Sequence, residues 1–388
     1  MKLEAQVNKF RRNIPITRSA IFLNHAETAP MMTPVASAMG SYLRNRFQAL
    51  NTTAAIEKSC PKRLIGKLIG ARENEICYVP NTSYGINVAA NSLPFASGKN
   101  TVLWDLEFPG NIYPWLNQRL RGAKIRWLHG QEIDLSELKS SVDGQSVAVS
   151  VSHVNWVNGF RADLKAISEI IHEKGGILFV DATQSAGAIQ IDVRKMGIDI
   201  LACAFYKWLL GPSGAGFLYV REDLIDSLHP LFIGWNAVKN TGPPTYLFNP
   251  KKIVPQDYAK RYLPGSISPI PFLGAGRSLK MLLDVGIDRI EERVLDLTDH
   301  LVEHLQELGF EVVSPKDREK RGGIVNFSVA NASEVTLKLL KNRIWVSARS
   351  QEGTGGIRVS PHFYNTVSEL SSFLRTLKSV TTNRYLHH

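Results

Sequence analysis

Two residues in this chain draw attention by type and setting. Asp181 closes the apolar run Ile177-Leu178-Phe179-Val180, and Lys207 sits in Ala204-Phe205-Tyr206-Lys207-Trp208-Leu209-Leu210, just past the next such run. In an open α/β sheet ligands bind beyond the carboxyl ends of the strands, so a carboxylate delivered there is placed to meet one. Strand-end aspartates also cap helices, and Asp181 alone would decide nothing. A lysine among apolar neighbours is costly to keep charged, and desolvation lowers its pKa toward the neutral amine that imine chemistry requires. Together the pair suits pyridoxal 5′-phosphate: the amine forms a Schiff base with the aldehyde, and the carboxylate keeps the pyridine nitrogen protonated so that the ring can draw electrons.

Such a cofactor needs a phosphate site, which loops running into helices supply through free N–H groups and the helix dipole. Ile76-Cys77-Tyr78-Val79 is followed by Pro80-Asn81-Thr82-Ser83 and a helical pattern from Tyr84 to Leu93, so Thr82 and Ser83 offer hydroxyls and amides together. Asn, Thr and Ser are ordinary helix caps as well, and the value of this stretch lies in the combination.

The elements that must hold these groups follow from periodicity. Short apolar runs alternate with amphipathic stretches from Glu75 to Val220, the pattern of a largely parallel sheet covered by helices. The runs are 76–79, 101–104, 125–128, 147–152, 177–180, 200–203 and 216–220. Leu164, Ile167, Ile170 and Ile171 predict a crossover helix over 164–174, stopped by Gly175-Gly176. Prolines from Pro243 to Pro271 break periodicity over 233–271, where a domain boundary is expected. Beyond it, helices over 272–285, 289–308 and 333–341 and a strand over 324–329 predict a smaller α+β unit. A length of 388 residues favours two domains. We expect a large domain over 21–255 and a small one over 256–388 joined by 1–20.

Composition removes several function classes. The net charge of +11 is scattered and accompanies no nucleic-acid motif, so solvated surface charge is the expectation. No run approaches the roughly 20 apolar residues of a membrane helix, and the basic segment from Met1 to Arg18 has no apolar stretch behind it. Cys60, Cys77 and Cys203 form no CxxC pair, which suits a reducing cytoplasm. There is no HExxH or Cys/His cluster, so no catalytic metal is expected. Gly211 to Gly216 runs into a strand, the reverse of a dinucleotide loop.

Three ordered stretches are recognisable: Asp181-Ala182-Thr183-Gln184-Ser185-Ala186-Gly187, Tyr206-Lys207-Trp208-Leu209-Leu210-Gly211-Pro212, and Gly356-Ile357-Arg358-Val359-Ser360-Pro361-His362-Phe363-Tyr364-Asn365-Thr366. They resemble the class V aminotransferase family of fold type I pyridoxal enzymes, which includes cysteine desulfurases, selenocysteine lyases, cystine lyases, kynureninase and isopenicillin N epimerase. The resemblance runs from Phe22 to Asn365. It implies a fold type I α/β architecture, a large domain with a mainly parallel seven-stranded sheet and a smaller α+β C-terminal domain. It further implies Lys207 as the imine lysine and Asp181 as the pyridine partner, with Gln184 on the phenolic oxygen. Thr82, Ser83 and Tyr206 would hold the phosphate. His153 and Asn158-Gly159 match the strand-end motif near the ring, and Arg358 matches the arginine that grips the substrate carboxylate. Ser266, in Leu263-Pro264-Gly265-Ser266, would reach the phosphate of a neighbouring subunit, which predicts a homodimer. Asn24, His25, Phe108 and Trp235 are candidate pocket walls.

The departures narrow the activity. Desulfurases of this group carry a nucleophilic cysteine in a loop before the carboxylate-binding arginine, whereas Arg349-Ser350-Gln351-Glu352-Gly353-Thr354-Gly355-Gly356 is short and has none. The ring-stacking histidine is replaced by Pro109, leaving Phe108 or Trp156 to stack. The expected activity is an aminotransferase or a cysteine-independent C–S lyase acting on an amino acid, with Lys207 as general base. An epimerase, drawn from Phe22-Leu23-Asn24-His25, and a cysteine desulfurase-like protein lacking the loop cysteine are the alternatives, and a protein that only binds a partner is a further reading, disfavoured by the presence of Lys207, Asp181 and Arg358.

Overall fold

The apolar runs become strands because each is buried on both sides. The computed structural model describes residues 2–48, 61–240, 253–351 and 353–382; Cys60 and Pro243, Pro244 and Pro250 of the proline-rich stretch lie outside them. After a short β1 (Ile21–Phe22) come β2 (Ile76–Val79), β3 (Asn100–Trp104), β4 (Lys124–Leu128), β5 (Ser146–Ser152), β6 (Ile177–Asp181), β7 (Ile200–Ala204) and β8 (Gly216–Val220). Among the described residues β2 to β8 form one seven-stranded sheet, in the order β2, β8, β7, β6, β5, β3, β4. Only β8 runs antiparallel to its neighbours in it. Along β5, β6 and β7, Val149, Val151, Leu178, Val180, Leu201 and Cys203 pack into the apolar layer on one side. Ala148, Phe179, Ile200 and Ala202 pack into the other layer. Strands covered on both faces lose the apolar–polar alternation, which is why they read as continuous runs.

The helices supply the two covers. Leu164–His172 follows β5, with Asp163 accepting at 3.0 Å from the Ala166 amide as N-cap and Leu164, Ile167 and Ile171 buried. It ends two residues before the expected Lys174, ahead of Gly175 at φ +76°. The helix expected from Phe272 instead starts at Pro269 and runs to Val285. Pro269 and Pro271 therefore open a helix they had been expected to interrupt; first-turn N–H groups have no intrahelical acceptor, so proline costs nothing there.

The C-terminal part contributes the helix Ile287–Glu307, β9 (Val325–Phe327), the helix Ala332–Lys341, β10 (Ile344–Trp345), β11 (Ser347–Gln351), β12 (Thr354–Val359) and the helix Val367–Thr382. Strands β11, β12 and β9 form an antiparallel sheet, and Leu301, Leu305, Phe327, Leu339, Val359 and Phe373 share its core. The N-terminal helix Lys2–Arg11 is tied to this part by Arg11, which donates to the Tyr364 carbonyl at 2.8 Å and pairs with Glu369 at 2.9 Å. No helix among the described residues is long and apolar enough to cross a membrane.

Candidate active site

Strand β6 ends on Asp181, whose register partners are Ser152 of β5 and Ala202 of β7. Its Oδ1 accepts from the Thr183 amide at 2.8 Å. Burial raises the carboxyl pKa, while Thr183 and the Lys207 charge pull the other way. One strand further along, the chain leaves β7 and turns at Lys207, closed by Leu210 N–H to the Lys207 carbonyl at 2.9 Å and Gly211 N–H to the Phe205 carbonyl at 2.8 Å. Leu210 adopts φ +53°, a left-handed conformation that is strained for leucine and shows how tightly this turn is determined. Burial, with the nearby Arg358 charge, brings the Lys207 amine down to about 8, against the opposing pull of Asp181.

The first turn of the helix Thr82–Ser92 faces the same space. Asn81 caps it, accepting from the Tyr84 amide at 2.8 Å, and the Thr82 hydroxyl lies 2.6 Å from that of Thr183. The amides of Thr82 and Ser83 occupy positions where a helix has no internal acceptor. Gly110 lets the next loop approach: a Cβ there would sit 3.1 Å from the Ser83 hydroxyl and 3.0 Å from the Phe108 ring.

One cavity unites these groups; Thr82, Ser83, Phe108, Trp156, Asp181, Gln184, Tyr206 and Lys207 line it. The Lys207 ammonium nitrogen is 5.7 Å from the Phe108 ring centre and 5.8 Å from that of Tyr206. Phe108 meets Trp156 edge-on at 5.4 Å. Gln184 donates to the Ala26 carbonyl at 2.9 Å and accepts from the Trp208 indole at 2.9 Å, leaving one amide N–H free of these contacts.

Arg358, on β12, is 2% exposed and donates to the Trp156 carbonyl at 2.7 Å, while its Nε has no partner among the described residues. Burial lowers its pKa to about 9, so it is a cation at neutral pH, and no described carboxylate lies within ion-pairing distance of it.

Other expected site residues are placed differently. His153 donates its backbone N–H to the Asp181 carbonyl at 3.0 Å, but the residue borders a second cavity with Arg161 and Glu291, and burial holds its ring neutral, down to about 3. His25 has both ring nitrogens engaged, with the Ser360 carbonyl at 2.8 Å and the Tyr364 hydroxyl at 2.5 Å. Asn24 donates to Glu27 at 2.6 Å. Trp235 is exposed and does not line this cavity; Ser266, expected at a neighbouring subunit's site, is exposed as well.

Glu107 was not foreseen as a site residue. Fully buried, it accepts from the Ser152 amide at 2.5 Å and hydroxyl at 2.6 Å. Burial lifts it to about 7. The available signal was an acid one residue before Phe108, just past an apolar strand.

The sequence model of the Aminotransferase class-V family matches residues 21–373. The chain belongs to that family. Among class V relatives, a probable cysteine desulfurase of Methanothermobacter thermautotrophicus is 29% identical over 399 residues, covering 95% of this chain and 97% of that protein. The uncharacterized aminotransferase YcbU of Bacillus subtilis is 29% identical over 388 residues, covering 98% and 100%. The apo structure of a cysteine desulfurase from Thermococcus onnurineus superposes with a TM-score of 0.87 at 25% identity, over 97% and 98% of the two chains. A cystine C–S lyase complexed with cysteine persulfide shares the fold, with a TM-score of 0.86 at 19% identity over 94% and 99%.

This class V protein is accordingly a pyridoxal 5′-phosphate-dependent enzyme with the fold type I α/β architecture. The cavity suits that cofactor chemically: an amine near neutrality, a buried carboxylate, hydroxyls at a helix start and a free amide N–H stand around one space.

Proposed function

We propose that the enzyme acts on an α-amino acid as an aminotransferase or a cysteine-independent C–S lyase, with Lys207 as its reactive amine. The observation that carries the substrate class is Arg358, a buried guanidinium without a described counter-carboxylate beside the lysine turn. A buried cation is costly unless paired, and an α-carboxylate is the bidentate partner its geometry fits.

Pyridoxal 5′-phosphate supplies an aldehyde and an electron-accepting ring. Asp181 would hold the proton on the ring nitrogen, and the remaining Gln184 amide N–H would donate to the phenolic oxygen. The Thr82 and Ser83 amides and hydroxyls, with Tyr206, would hold the phosphate, and Phe108 would stand beside the ring. Arg358 orients the substrate, and Lys207 Nζ, neutral once its proton is lost, removes the α proton.

Among the described residues no thiol is placed to serve a persulfide route. No cysteine stands in Arg349 to Gly356, and Cys77 and Cys203 are buried thiols pushed up by burial. The epimerase alternative rested on Phe22 to His25, and His25 has no free ring nitrogen to act as an opposed acid. Exposed Ser266 and the exposed apolar run Leu231, Phe232, Ile233 support a homodimer with shared sites. The free thiols suit the reducing cytoplasm.

The test is to incubate holoenzyme with a panel of amino acids, following keto acid with and without an amino acceptor, sulfide, and solvent deuterium at the α carbon. Acceptor-dependent keto acid identifies an aminotransferase; sulfide with pyruvate and no acceptor identifies a lyase. Deuterium uptake alone would transfer the assignment to an epimerase. Lys207→Ala should lose the yellow colour and its borohydride trapping, and retention of both would overturn the proposal.

A further inference from the structure

Arg349 and Arg358 stand on one face of the sheet formed by β9, β11 and β12. Ser347 lies opposite Arg358 and Arg349 opposite Gly356. Directly paired residues, and residues two apart on one strand, point to the same side, so the two arginines are diagonal cross-strand neighbours. Their partners differ. Arg349 Nη2 pairs with Glu27 Oε1 at 2.9 Å, and the other Glu27 oxygen accepts from Asn24 at 2.6 Å. Arg358 has no such carboxylate among the described residues. The Arg349 and Glu27 side chains are 35% and 45% exposed, so the pair lies on the solvent side of the buried Arg358. The Glu27 charge acts on Arg358 and on Lys207.

Taking Arg358 as the holder of the substrate α-carboxylate, we propose that Glu27 masks Arg349, so that the site selects amino acids with one carboxylate and discriminates against those whose side chain carries a second. A second carboxylate could reach Arg349 only by displacing Glu27. It would trade one charge-assisted pair for another and leave the displaced acid as a like-charged neighbour, with no net gain in binding. Asn24 fixes Glu27 from its far oxygen, which opposes the displacement.

The experiment uses the holoenzyme and reads the cofactor absorption band during titration with L-alanine, L-valine, L-aspartate and L-glutamate. Glu27→Gln should improve affinity for the two acidic amino acids relative to the two neutral ones by at least about tenfold. Adding Arg349→Met to Glu27→Gln should abolish that gain. An unchanged ratio in Glu27→Gln, a gain that survives loss of Arg349, or a wild-type preference for acidic amino acids would overturn the inference while leaving the Arg358 reading intact. A wild-type band that responds to no amino acid would overturn the site reading and this inference with it.

Discussion

The indole of Trp208, the residue after Lys207, donates at 2.9 Å to the side-chain oxygen of Gln184, three residues after Asp181. Lysine turn and aspartate loop are thus joined behind the cavity by one hydrogen bond between two buried side chains. Gln184→Ala leaves the indole N–H buried without an acceptor, which costs about 1–3 kcal/mol. Urea unfolding should show a lower midpoint with an unchanged slope, and equal stability would mean that water satisfies the indole.

Gly187 sits at φ +98°, and a Cβ there would lie 2.5 Å from the Trp208 carbonyl. Neither the backbone conformation nor the carbonyl can give way cheaply. Gly187→Ala should therefore destabilise the protein by at least about 1–3 kcal/mol and weaken cofactor retention, measured by loss of the visible band on dialysis. A variant of wild-type stability and colour would show that the turn is looser than its contacts.

The pH dependence of cofactor capture follows from Lys207. Burial first, then the Arg358 charge, bring the amine to about 8 from its ordinary 10.5. Only the neutral amine attacks an aldehyde, so uptake by apoprotein should rise with pH and level off above about 8. The fold binds this proton less tightly than the unfolded chain does, so apoprotein stability should also rise as pH climbs from about 8 toward 10.5. Arg358→Gln removes a repelling cation and should move the uptake midpoint upward. An uptake midpoint near 10 in the wild type would contradict this account.

Arg358→Gln should also lower kcat/KM for amino acids at least about tenfold, because a hydrogen bond to a charged group is worth about 1.5–3 kcal/mol. Bound cofactor should keep its colour. Steady-state kinetics beside an absorption spectrum separate the two effects; a variant with normal kinetics would remove Arg358 from substrate binding.

What could be read in advance was local. Val149 and Ala148 go to opposite faces of β5 and both are buried, so the run betrays the strand without knowledge of its neighbours. Lys207, Asp181, Thr82 and Ser83 were legible for the same reason, each lying at the end of a strand or the start of a helix. The helix Thr33–Phe47 was not foreseen: Val35 is its one buried residue, so little apolar periodicity marks it. Glu107 went unread because its partner Ser152 is on another strand, and the engagement of His25 depends on Ser360 and Tyr364, distant in sequence. Pro269 and Pro271 misled because proline signals a helix start and a helix break with equal force.

The turn bearing Lys207 is braced entirely by protein groups: Trp208 donates to Gln184, the Trp208 carbonyl meets the His362 ring at 2.9 Å, and the Leu209 carbonyl accepts from Ser278. Bracing of this kind should hold the turn in place before vitamin B6 enters, so that little of its binding energy goes into ordering the lysine. The melting temperature should then climb with free vitamer concentration as simple mass action dictates.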